Sequence, residues 1–185
     1  LAGYGIYYWI THKPIVLKSY TATEEEMLAA ADTVVATVGD QSLTLRQLQM
    51  FYSMEVYGFL DERYEDLAEL KLDYKKPLDK QACYFDKTIS WQKFFLDCAV
   101  ESWHQYASMS LTAKADNFVL DDATQKELDS VAADLEAAAL ESYYASAAEM
   151  IADELGKVVD LQTYVDYIAF TRSGVAYFDS LVDKI

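Results

Sequence analysis

The sequence predicts a mainly α protein, several helices of which two or three are long, with a small β-strand or hairpin element near residues 34–43. Three observations carry that reading. Only 2 Pro and 6 Gly interrupt 185 residues, too few breaks for a turn-rich β architecture. Apolar residues recur at helical spacing through most of the chain beyond residue 45. The composition, 52% hydrophobic and 25% charged, is that of a folded domain with a real core and not of a disordered tail.

Residues 1–14 start uncharged and apolar, with Tyr7, Tyr8 and Trp9 ahead of the polar stop Thr11-His12-Lys13-Pro14. Ten helical residues reach about 15 Å, half of a bilayer core, so the stretch does not span as it stands. Its aromatic cluster and polar stop read as the interfacial remnant of a membrane or signal anchor, which would put the rest of the chain outside the cytoplasm. An apolar segment packed on the domain or on a partner is the other reading. Residues 15–33 read as a linker and a short helix, with Thr23 as its cap and Glu24, Glu25 and Glu26 at the positive end of its dipole.

The domain itself is expected over residues 34–185. Val34, Val35, Thr37 and Val38 have strand propensity and Gly39-Asp40 supplies a turn. Thr44 and Gln47 match a capping box, and Leu45, Leu48, Tyr52, Val56 and Phe59 then follow at helical spacing. Residues 61–86 read as a long, polar, irregular connection, helical in part of 62–72. Thr88 or Ser90 is expected to cap a helix from Trp91 to Asn117. A third long helix follows from Asp121-Asp122 through Leu128, Val131, Leu135 and Ala138, its Ala-rich back suited to close approach. A shorter helix over 142–155 is closed by Gly156. Asp160 caps the last helix, where Tyr164, Ile168, Thr171, Val175, Phe178 and Val182 form a seam for one partner. That helix reaches the last residue without a stop signal, so the C-terminus reads as truncated or continuing.

A formal net charge of -16 argues against nucleic acid as a partner, which needs a basic patch; the largest basic cluster is Lys75-Lys76. Docking on anionic lipid through basic residues is disfavoured for the same reason. The charge keeps a protein that displays apolar surface dispersed.

Chemistry-bearing motifs fail one by one. Glu101 and His104 have the Glu-x-x-His spacing of di-iron bundles, but those sites need the motif twice, and the only other histidine is His12. Cys83 and Cys98 make neither a metal knuckle nor a redox pair; they read as ordinary thiols, with a disulfide between them left open. No nucleophile elbow, dinucleotide loop or P-loop is present. The expectation is therefore no catalytic residue, no metal and no cofactor. Non-covalent binding remains. Met50, Phe51, Met54 and Tyr57, with Trp91, Phe94 and Phe95, suit a groove for varied apolar peptides, because methionine re-packs and aromatics give area at small entropic cost. The competing reading is that these residues only hold helices together.

Val35-Ala36-Thr37-Val38-Gly39-Asp40, then Leu43-Thr44 and Gln47-Leu48, resembles the start of the chaperone domain of SurA- and PrsA-type foldases, where a short Val-rich strand and a Gly turn lead into the first helix. The later order is similar, from Ala113-Lys114 through Phe118 and Leu120-Asp121-Asp122 to Gly156 and a Tyr-rich last helix. The match covers roughly residues 33–185, and only its first motif is specific. What the resemblance implies is an exported, membrane-anchored, ATP-independent chaperone domain that cradles unfolded or extended polypeptides. The chain departs from the pattern in its longer 61–86 connection and in lacking a parvulin module, so prolyl isomerase activity is not expected of these residues. A different class, a helical scaffold acting through homodimer or hetero-oligomer packing, is the alternative.

Overall fold

A computed structural model describes residues 23–183. The readings of residues 1–14 as an anchor remnant and of 15–22 as part of a linker lie outside the described residues. Within them the protein is mainly helical, with six α-helices and one two-stranded antiparallel hairpin.

The short helix α1, Glu24–Ala29, begins at a complete capping box: the Thr23 hydroxyl accepts from the Glu26 amide while the Glu26 carboxylate accepts from the Thr23 amide. The hairpin pairs β1, Val34–Val38, with β2, Gln41–Thr44, and a bulge lies between Val34 and Ala36. Gly39 turns it at φ 59°, a conformation that suits glycine. A Cβ there would lie 2.8 Å from Leu111 Cδ1, so the turn also sits tight against a helix. Leu43 is the inward residue of the hairpin and is fully buried.

Helix α2, Leu45–Arg63, starts at the capping box of Thr44 and Gln47. It buries Leu48, Met50, Phe51, Tyr52, Val56, Tyr57 and Leu60, more than one stripe, because neighbours cover it on several sides. Helix α3, Trp91–Ala115, runs antiparallel to it: Phe59 meets Trp91 and Phe95 at one end, and Phe51 meets Tyr106 at the other. Ser90 is its cap, accepting from the Lys93 amide. Thr88 is instead engaged by Asp86, whose carboxylate accepts from both the Thr88 amide and hydroxyl. The helix stops at Ala115 and not at Asn117, which has left-handed φ 51°.

Helix α4 spans Asp122–Glu141 from an Asp121 cap. The next helix, α5, is Ala147–Leu155, capped by Ser146, and so begins five residues later than the spacing suggests. Tyr143, at φ 66°, turns the chain after α4 and delays the restart. Helix α6, Leu161–Val182, lies alongside α2 and α3 and runs parallel to α3, with Phe170 near Tyr106 and Tyr177 near Asp116 and Phe118. Its expected seam is corrected in the second half: Val175, Phe178 and Val182 are exposed, and the buried side carries Thr163, Tyr164, Gly174 and Tyr177.

The connection between α2 and α3 is polar on its surface but anchored. Leu67, Leu70, Leu72, Leu78 and Cys83 are buried. The Gln81 amide accepts from the Asp73 N–H at 2.8 Å and donates back to the Asp73 carbonyl at 2.9 Å, while the Gln81 carbonyl accepts from the Trp91 N–H. The irregular connection is thus a strap that delivers Tyr84 and Phe85 to the start of α3.

Candidate functional site: the groove between α2 and α3

Antiparallel α2 and α3 leave a groove along one side of their contact, of about 300 Å³. Helix α2 contributes Phe51, Met54, Glu55, Gly58, Phe59 and Glu62, helix α3 contributes Phe94, Phe95, Cys98, Ser102 and Tyr106, and Tyr167 of α6 closes the far end. Helical spacing puts Phe51, Met54, Glu55, Gly58, Phe59 and Glu62 on one face. Gly58 is the gap in that row: a Cβ built there meets nothing within 4 Å.

The groove floor is aromatic. Phe59 touches Phe94 and Phe95 at centroid distances of 6.3 and 5.3 Å, and Phe94 and Phe95 lie 5.4 Å apart. Phe85 joins from the strap, 5.5 Å from Phe94 and 6.3 Å from Phe59. It is 56% exposed, and its neighbour Tyr84 is 44% exposed. The aromatic cluster therefore runs unbroken from the core, at Trp91 and Phe95, to the solvent at Phe85.

The polar part of the groove has one sign. Among the described residues its only charged side chains are Glu55 and Glu62. Glu55 is half-buried and accepts a hydrogen bond from the Ser102 hydroxyl across the groove. Burial pushes the Tyr106 and Tyr167 hydroxyls above the ordinary tyrosine range, and the Glu55 charge adds to both. The Cys98 thiol is likewise raised, by burial first and then by Glu55, Asp97 and Cys83. Cys83 and Cys98 are both free thiols, so the disulfide left open by the sequence does not form.

A second, smaller cavity of about 150 Å³ lies behind the groove, against Gln41 and Ser42 of the hairpin, with Met50, Trp103, Thr163, Asp166 and Phe170 around it. Phe51 and Tyr167 line both spaces. Among the described residues no group of three or more His, Cys, Asp or Glu is placed to hold a metal ion. No helix among them is long and apolar enough to cross a membrane.

The chain matches no protein family, no curated protein and no solved structure. Of the seven residues singled out in the sequence, Phe51, Met54, Phe94 and Phe95 come together in the groove. Met50, Tyr57 and Trp91 do not: all three are buried in the core, and the Tyr57 hydroxyl donates to the Glu154 carbonyl of α5. Met50 and Tyr57 are thus covered by the protein's own helices. The residues sequence reasoning missed include Phe85, Glu55, Gly58, Glu62, Ser102, Tyr106 and Tyr167. The first sits in a connection without periodicity, and the others gain meaning only when three helices meet.

Proposed function

We propose that this chain is a non-catalytic binding domain that takes extended apolar polypeptide segments into the α2–α3 groove, as an exported, membrane-anchored, ATP-independent chaperone or foldase-like domain would. The observation that carries the reading is the aromatic run Phe95, Phe94, Phe59 and Phe85, which begins in the core and ends at the surface beside an open groove. Aromatic side chains that stay together yet reach solvent offer contact area without having to be ordered on binding. Met54 in the same wall can re-pack around different partners, and the net charge of -16 would keep a loaded complex dispersed.

The direct test is suppression of aggregation of a reduced model substrate, with peptide binding measured in parallel by calorimetry. The reading expects both, and expects Phe94→Ala and Phe85→Ser each to weaken binding. No suppression at stoichiometric excess together with no detectable peptide binding overturns it.

A second reading, an assembly module, has its own support. Val175, Phe178, Leu181 and Val182 form an exposed apolar strip on the end of α6. Light scattering separates the two, since a stable dimer that Phe178→Ser converts to monomer favours assembly.

A further inference from the structure

Glu55 is an unusual residue for an aromatic groove. A half-buried carboxylate loses part of its hydration and normally recovers it from a cation or from several donors. Two carboxylate oxygens offer about four acceptor positions, and the Ser102 hydroxyl fills one of them. Among the described residues no ion pair reaches Glu55 or Glu62, although nine ion pairs form elsewhere in the protein. Among the described residues no Lys, Arg or His lines the groove. Tyr106 and Tyr167 line the groove together with the carboxylate, and burial first, then its charge, raises both hydroxyls. Tyrosine rings lining the same groove as an anion that no cation meets are a setting in which an ammonium or guanidinium group gains from both. The rest of the protein reinforces the sign, with 31 acidic against 15 basic residues.

We infer that the groove selects polypeptide segments in which a lysine or arginine is flanked by aromatic or aliphatic residues. The Glu55 carboxylate takes the cation, Met54, Phe59 and Phe94 take the apolar neighbours, and Glu62 adds attraction at the outer end. This rests on the peptide-binding reading above and names its substrate class. Ser102 holds Glu55 in place from the opposite helix and is a positioning residue.

The test uses three short synthetic peptides that share two phenylalanines and differ only between them, in a lysine, a norleucine or a glutamate. Calorimetry is run at low and high salt on the parent protein and on Glu55→Gln, which keeps an acceptor for Ser102. The lysine peptide is expected to bind about tenfold tighter than the norleucine one at low salt, with the glutamate peptide weakest. High salt and Glu55→Gln should each reduce that advantage to within about twofold. Norleucine or glutamate peptides binding as tightly as the lysine peptide overturn the inference while leaving the peptide-binding reading standing. If none of the three binds, both fall. Should Glu55→Gln not fold, the ranking of the three peptides on the parent protein still decides. Cys98, half-buried in the groove, supplies a second readout: bound lysine peptide should slow its reaction with a thiol reagent, and unchanged reactivity at saturation overturns the assignment to this groove.

Discussion

Phe51 and Tyr167 meet edge to face, ring centroids 4.9 Å apart and planes at 78°, and together they form the wall between the groove and the cavity behind it. Phe51 also lies edge-on to Phe170 at 6.4 Å, so one ring ties α2 to α6 at two points. Removing it opens two spaces into one. Phe51→Ala is expected to lose about 3–5 kcal/mol of stability, the usual cost of truncating a buried phenylalanine. Tyr167→Phe, which keeps the ring contact, should stay within about 1 kcal/mol of the parent. Urea unfolding of both variants checks this; equal losses would mean that the wall depends on the tyrosine hydroxyl and not on the rings.

Gly174 sets how closely α6 approaches α3. A Cβ at this position would lie 2.8 Å from Tyr106 Cδ1 and 3.6 Å from Met109 Cε. In an exposed helix interior Gly→Ala stabilises by about 1 kcal/mol. Here overpacking, at about 1–3 kcal/mol, opposes that gain and exceeds it. Gly174→Ala should therefore be net destabilising by about 1 kcal/mol, and because Tyr106 lines the groove it should also weaken peptide binding. Combining it with Tyr106→Leu should recover most of the stability, a coupling that a double-mutant cycle measures directly. A stabilised Gly174→Ala single variant would show that α6 simply moves away.

Most helix starts were readable because their cause is local; α5, which begins at Ala147 behind its Ser146 cap, was the exception. The Thr44 hydroxyl accepts from the Gln47 N–H and the Gln47 side chain accepts from the Thr44 N–H whatever the rest of the chain does; Thr23 and Glu26 repeat the box, and the Asp121 and Asp160 carboxylates each accept from the N–H three residues on. Facing was less readable. The apolar seam expected on α6 counted Val175 and Phe178, but the side that packs is chosen by Gly174, which allows contact, and by Tyr177, whose hydroxyl donates to Asp116 at 2.5 Å. Neither residue registers as hydrophobic periodicity. The strap over residues 67–90 was illegible for a related reason: Gln81 organises it through hydrogen bonds to Asp73, eight positions away. In the candidate site, residue type marked the aromatics correctly as a group. It did not separate Trp91, enclosed by its neighbours, from Phe94, half-open on the same helix three residues on.

Glu154 gives the protein a pH dependence of defined sign. It is buried on α5, and burial, with a smaller push from Asp153, raises its carboxyl from 4.5 to about 7. Its charge in turn helps hold the Tyr164 proton on, after burial of that ring. A folded-state pKa above the unfolded one means that the folded state binds the proton more tightly. The associated stability is full below about pH 4.5 and is lost as pH rises towards about 7. At about 1.4 kcal/mol per unit the effect is at most about 3.5 kcal/mol. Glu154→Gln should thus melt higher than the parent at pH 7.5 and close to it at pH 4.5. Thermal melts at the two pH values decide, and an equal difference at both would remove Glu154 as the source.

Trp91 and Phe94 provide the sharpest separation of core from site. Trp91 has no exposed surface and stacks on Phe95 at 5.6 Å with planes 24° apart. Phe94 is half-buried and turns its ring toward Phe85 and the groove. Truncating the first removes buried area and leaves a cavity, so Trp91→Ala is expected to cost about 3–5 kcal/mol, with any loss of binding following from unfolding. Phe94→Ala removes a ring that already faces water on one side and should cost about 1–2 kcal/mol. Its effect on a bound apolar peptide should be larger in proportion, about five- to tenfold in Kd, because a partly exposed aromatic makes its remaining contacts only in the complex. Urea unfolding and calorimetry on the same two samples separate the roles. If Phe94→Ala leaves peptide affinity unchanged while lowering stability as much as Trp91→Ala, the aromatic run is core throughout and the groove is not its outlet.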